Sequence, residues 1–294
     1  MASSHILVGV GMNQARPVIR RITQSDLRQS LARGLDDFLA MPSHALFLCV
    51  LYPLLGLWLI SLASGYSMLP LAFPLAAGFA LIGPFAALGL YELSRRREAG
   101  LDTAASHVFD VLRSPSFGAI VALGVLLMAI FLIWLAVAEA IYVANFGYAA
   151  PSSIRRFASD VFGTAHGWNL IVVGTGIGFL FAVLALNISV VSFPLLLDRD
   201  VGAAVALLTS VRAVIANPVT MALWGLIVAA LLVIGSIPFF LGLTVVMPVL
   251  GHATWHLYRK VVEPDPAAQA VFYPQQKSNR SAADFPAVLF SRRR

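Results

Sequence analysis

Four stretches of this chain carry no charged residue: 45–91, 116–138, 167–197 and 213–251. A helix crosses a bilayer core with about 20 consecutive apolar residues, so each stretch can hold at least one span. Only 12% of the 294 residues are charged, against about a quarter in soluble domains. In lipid, a helix satisfies its own backbone hydrogen bonds. The expected fold is therefore an all-α polytopic membrane bundle.

Punctuation divides that bundle into about six spans, at 43–64, 69–93, 115–142, 168–197, 218–234 and 238–258. They belong to a transmembrane domain over 22–262, between a flexible basic arm at 1–21 and a disordered basic tail at 263–294. The start of the chain lacks the basic and apolar regions of a signal peptide, so targeting is expected from the first span. Cys49 is the single cysteine, which excludes an intrachain disulfide, a thiolate metal cage and a CxxC redox pair.

Three short amphipathic helices alternate with the spans. The first follows Thr23 and Asp26, spaced as a capping box, and carries Leu27, Leu31, Leu35 and Phe38 as its apolar stripe. The second covers about 102–113, with Ala105, Val108 and Leu112 as its stripe; the third covers 201–216, with Val201, Val205, Leu208 and Ile215. Each meets an X-Pro step, at Met41-Pro42, Ser114-Pro115 and Asn217-Pro218, and two spans follow. The second span of each pair holds an internal proline, Pro84, Pro194 or Pro248. Two readings stay open: a three-fold pseudo-repeat of amphipathic helix, proline and helical hairpin, or prolines that punctuate the chain by chance.

With six spans, eighteen of the twenty Lys and Arg residues fall on the side of the two termini and only Arg155 and Arg156 on the other. The positive-inside rule then puts both termini in the cytoplasm. The amphipathic helices lie on that leaflet, and the Arg95, Arg96 and Arg97 run is expected to be a basic membrane-surface element. Membrane lipid, rather than nucleic acid, accounts for the net charge of +6. A protein partner or a second copy of the chain is also admitted.

Three phrases carry a family resemblance. They are Ile22-Thr23 with Asp26-Leu27, Leu31, Gly34 and Asp37-Phe38; the run from Gly89 to Arg96; and the run from Val246 to Arg259, which contains Gly251-His252-Ala253-Thr254-Trp255-His256. Over 20–264 the chain resembles a family of bacterial integral membrane proteins known as a domain of unknown function. The resemblance implies a bacterial inner-membrane location and brings no catalytic residue with it.

The chemical inventory is thin. His252 and His256, four apart on one helix face, could join Glu92 and His107 in a metal or haem site, since imidazole and carboxylate suit zinc or iron. The plainer reading makes the two histidines interfacial anchors beside Trp255 and Tyr258. Glu92 suits a local pair with Arg95 or Arg96, and Glu139 an interfacial side chain reaching water. Asn187 could contact a substrate or act as interhelical glue, and Gly174 with Gly178 reads as close helix packing. No Walker lysine, G-x-S-x-G or H-E-x-x-H motif occurs, so no catalytic residue or cofactor is assigned. The expected function is a non-enzymatic scaffold, assembly or lipid-interacting protein. The alternative is a transporter or channel for a small apolar or lipid-like substrate, and a metal- or haem-dependent enzyme ranks last.

Overall fold

The computed structural model describes residues 17–41, 66–71, 74–75, 83–85, 87–148, 151–238 and 240–265. The expected span 43–64, with Cys49, lies outside the described residues, as do 72–73, 76–82 and 86 within 69–93, residues 1–16 of the arm and the tail from 266 on. Among the described residues, regular structure is helical apart from one isolated bridge between Ile19 and Val262. The helices are α1 (Gln24–Ala40), α2 (Leu88–Glu98), α3 (Phe117–Phe146), α4 (Ile154–Gly163), α5 (Ala165–Ser189), α6 (Ser192–Asp198), α7 (Ala203–Ala216), α8 (Pro218–Ser236) and α9 (Leu243–Val261). Two 3-10 helices cover Tyr66–Leu71 and Ala105–Arg113.

Three of these are long and apolar enough to cross a membrane: α3, the α5–α6 unit over Ala165–Asp198, and α8. They lie over the expected spans 115–142, 168–197 and 218–234. α3 is about 45 Å long at 1.5 Å per residue, more than a bilayer core requires. The α5–α6 unit breaks at Val190-Val191. The Val191 N–H freed there donates to Ser210 Oγ of α7 at 3.2 Å, and Pro194 falls in the first turn of α6, where a missing N–H costs nothing. The break is a packing pivot: residues 188–199 are all buried.

The position of the sixth expected span is taken by α9, which is apolar only in its first half. Its second half carries His252, Trp255, His256 and Tyr258, all buried inside the protein. α1, α2, α6 and α8 pack around it. Residues 18–23 form an extended strap beside it. Arg20 N donates to Val261 O at 2.7 Å, Glu263 N to Val18 O at 2.9 Å, and Ile22 N to Asn217 Oδ1 at 2.8 Å. The chain just before α1 and just after α9 is thus held in place.

The surface helices form where expected, but their inward faces differ from the apolar stripes. α1 starts at the Thr23 capping box, with Thr23 N donating to Asp26 Oδ2 at 2.9 Å. It buries Leu27, Ser30, Gly34 and Asp37 while Leu35 stays exposed. α7 buries Ala203, Ala206, Thr209, Ser210 and Ala213 and exposes Leu208 and Ile215. Residues 105–113 wind as a 3-10 helix with three residues per turn, so Val111 turns inward while Phe109 and Leu112 turn outward. Small residues let helices approach closely, and a lipid surround removes the drive to hide large apolar groups between them.

Candidate functional site

The second half of α9 organises the polar centre. At 100° per residue, His252 and His256 share one face and Trp255 and Tyr258 an adjoining one, with Arg259 between the two. Two glycines set the approach of the neighbouring helices. A Cβ on Gly34 would stand 2.6 Å from Ala253 N and 2.7 Å from Val249 O, and one on Gly251 would stand 2.6 Å from Leu90 Cδ1. Backbone therefore nearly touches backbone where α1 meets α9, and the Leu90 side chain of α2 lies against the bare Gly251 of α9. Asp37 comes one turn after Gly34, and Ser94 one turn after Leu90, so both are delivered to the histidine face.

Asp37 is the hub of that face. Its Oδ2 accepts from Ser94 Oγ at 2.5 Å and from His256 Nε2 at 2.9 Å, and its Oδ1 takes the Arg97 guanidinium. Ser94 Oγ also lies 2.7 Å from His252 Nδ1. The single Ser94 proton goes to the carboxylate, so His252 Nδ1–H donates to Ser94. His252 Nε2 and His256 Nδ1 are left without hydrogen-bond partners among the described residues. Burial alone would raise the Asp37 carboxyl. The hydrogen bonds from His256 and Ser94, the His256 charge and the Arg97 bond outweigh it and hold the group at about 2.

The other face of α9 is tied to α2 and α6. Glu98 accepts from Trp255 Nε1 at 2.9 Å and from Arg259 Nε at 3.0 Å. Tyr258 donates its hydroxyl to Asp198 Oδ2 at 2.5 Å, with Arg199 and Arg259 at 3.4 and 3.7 Å from the same oxygen. Adjacent residues of α2 thus bind separate partners, Arg97 on α1 and Glu98 on α9. His252 and His256 are buried together with Trp255 and Tyr258, so the two histidines are not the interfacial anchors the sequence suggested. An open cleft of about 300 Å³ lies beside the hub, lined by Arg33, Asp36, Asp37, Arg97, Glu98 and His256.

The structure brings His252 and His256 together around Asp37 and Ser94. Glu92 is occupied elsewhere: Arg95 grips it through two bonds of 2.6 and 2.7 Å, and Arg96 stands 3.8 Å away. His107 sits between Asp110 at 2.6 Å and Asp102 at 3.1 Å. Among the described residues no group of three or more His, Cys, Asp or Glu is placed to hold a metal ion. Arg95, Arg96 and Arg97 all point into ion pairs within the protein, with Glu92, Asp110 and Asp37. Asn187 donates to Val183 O of its own helix at 2.7 Å. Gly178 faces Trp134 of α3, whereas Gly174 faces open space. Glu139 is exposed on the last third of α3.

Sequence reasoning missed Asp37, Ser94, Glu98, Asp198 and Tyr258 as partners. The available signal was the Ser30, Gly34, Asp37 series, a small and acidic helix face rather than an apolar one. Chemically the arrangement is a clamp. Ser94 is buried, with its hydroxyl held between Asp37 and His252.

Residues 72–198 match the model of a family described as predicted integral membrane protein (DUF2189). No curated protein and no solved structure matches the chain. The matched segment supplies Ser94, Arg97, Glu98 and Asp198 to the polar centre, while Asp37, His252, His256 and Tyr258 come from outside it.

Proposed function

We propose that this integral membrane protein is a non-enzymatic scaffold that engages membrane lipid, seated in the bacterial inner membrane with both termini in the cytoplasm. One observation carries the reading. The buried carboxylates among the described residues, Asp37, Glu92 and Asp198, are all engaged in ion pairs, and Asp37 and Asp198 link separate helices. The polar chemistry is used to hold α1, α2 and α6 against α9, which suits a rigid platform better than a reaction centre. The bias of eighteen basic residues to two supports the orientation.

The test is native mass spectrometry of the protein extracted in lipid discs, comparing the full chain with one lacking residues 1–16 and 266–294. Those truncations leave the strap and the Arg20–Glu263 pair in place. A stoichiometric protein partner that the full chain retains and the truncated chain loses is the expected result. Co-purification unchanged by the truncations contradicts a scaffold acting through its tails. A transporter of apolar or lipid-like substrate is the second reading, favoured by the break at Val190-Val191. It calls instead for a defined small-molecule adduct lost on Pro194→Ala.

A further inference from the structure

Of the surface helices on the side of the two termini, α1 is three-sided. On α1, Leu27, Ser30, Gly34 and Asp37 face the protein, and Gln29, Arg33 and Asp36 form a polar flank. The remaining flank bears Leu35 and Leu39 with Arg28 among them, the three within about 40° at 100° per residue. α7 lacks the polar flank but has the outward row, with Leu208, Arg212 and Ile215 within about 60° opposite its buried alanines. The 3-10 helix adds Phe109 and Leu112 as an outward row. These apolar side chains are far from hidden: Leu39 is 63% exposed, Phe109 62%, Leu112 60% and Ile215 69%. Arg28 and Arg212 are exposed, and no carboxylate pairs with either among the described residues.

We propose that Arg28 and Arg212, and not the Arg95, Arg96 and Arg97 run, are the contacts that select anionic phospholipid. An arginine in an apolar row can lay its stem along acyl chains and lift its guanidinium to the phosphate level. Both residues have that placement, while the three consecutive arginines are held by Glu92, Asp110 and Asp37. The inference rests on the lipid-engaging part of the functional reading and is independent of any protein partner.

Two readouts test it. In a Cys49→Ala background, Leu39→Cys, Phe109→Cys and Ile215→Cys variants carry a fluorophore and are reconstituted into vesicles of phosphatidylcholine with or without phosphatidylglycerol. Quenching by lipid brominated near the glycerol is expected at all three positions. A label quenched only by an aqueous quencher, or shielded from both, overturns the lipid-seated face, the second case indicating cover by another copy or a partner. Selectivity is then read as phosphatidylglycerol over phosphatidylcholine retained in native mass spectra. About a fivefold loss of preference is expected for each of Arg28→Gln and Arg212→Gln. Arg33→Gln removes the same charge from the polar flank of α1 and should leave the preference unchanged. Equal losses from Arg33→Gln and Arg28→Gln would make the effect one of net charge and refute the assignment. Loss of a protein partner with lipid preference intact would leave this inference standing while the scaffold reading failed.

Discussion

α8 and α9 are both 19 residues long, and they use their side chains in opposite ways. α8 is apolar along its length and buries only Met221, Trp224 and Gly235, leaving Val219, Leu226 and Val233 exposed. α9 carries two histidines, a tryptophan, a tyrosine, an arginine and a lysine in its second half, and it is enclosed by α1, α2, α6 and α8 itself. In water, hydrophobicity drives a helix inward. Against lipid that drive is absent, and polar groups are the ones that need protein partners. The more polar helix is therefore the central one.

Breaking the hub of α9 is expected to have the largest effect. Asp37→Ala strands Arg97 and His256 without their carboxylate and should cost about 3–5 kcal/mol of unfolding free energy, as for a buried pair that loses one partner. Its exposed neighbour gives the control, with Asp36→Ala within about 0.5 kcal/mol in the same unfolding titration. The acid response follows from the same carboxyl. Its value is lowered from 3.8 to about 2, so its contribution is fully present above the higher value and is lost as pH falls through the lower. Amide exchange in α1 should therefore rise as pH drops from about 4 toward 2, after correction for intrinsic rates, and the added rise should vanish in Asp37→Asn.

Next in size is the seam itself. Gly34→Leu forces a side chain against the Ala253 and Val249 backbone, which cannot move aside as a side-chain tip could. It should destabilise by about 1–3 kcal/mol or more and expose α1 to protease before the spans are affected. The smallest effect belongs to α8. Leu226→Ala in lipid discs should change stability by no more than about 0.5 kcal/mol, because lipid refills the space. A loss several times larger would mean that protein covers this face, and the contrast with α9 would narrow.

How much of this was legible in the sequence depended on how local each cause is. The Thr23 and Asp26 cap, the start of α8 at Pro218 and the three long apolar helices were legible because neighbouring residues or a plain run of hydropathy specify them. His252 and His256 were visible as one face from their spacing. Their partner Asp37 was not, since it lies 219 residues from His256 and on a helix whose apolar stripe pointed elsewhere. That stripe straddles the protein-facing and exposed sides of α1, because Leu27 is buried and Leu35 is exposed. Period and hydropathy identify an amphipathic helix without saying whether its apolar side meets protein or lipid. The ion pairs of the arginine run were hidden for a related reason: consecutive charges at the end of α2 point in several directions, and each finds a carboxylate.

The most direct test of a polar centre holding α9 in place is a double-mutant cycle between Asp37 and His256, with unfolding free energies measured in lipid discs for Asp37→Ala, His256→Ala and the pair. Residues in one buried network couple by about 0.5–3 kcal/mol. A coupling of at least about 1 kcal/mol, with the double variant more stable than the sum of the single losses implies, is the predicted result. Strict additivity would contradict it, and would mean that α9 is held by apolar packing with its polar groups incidental.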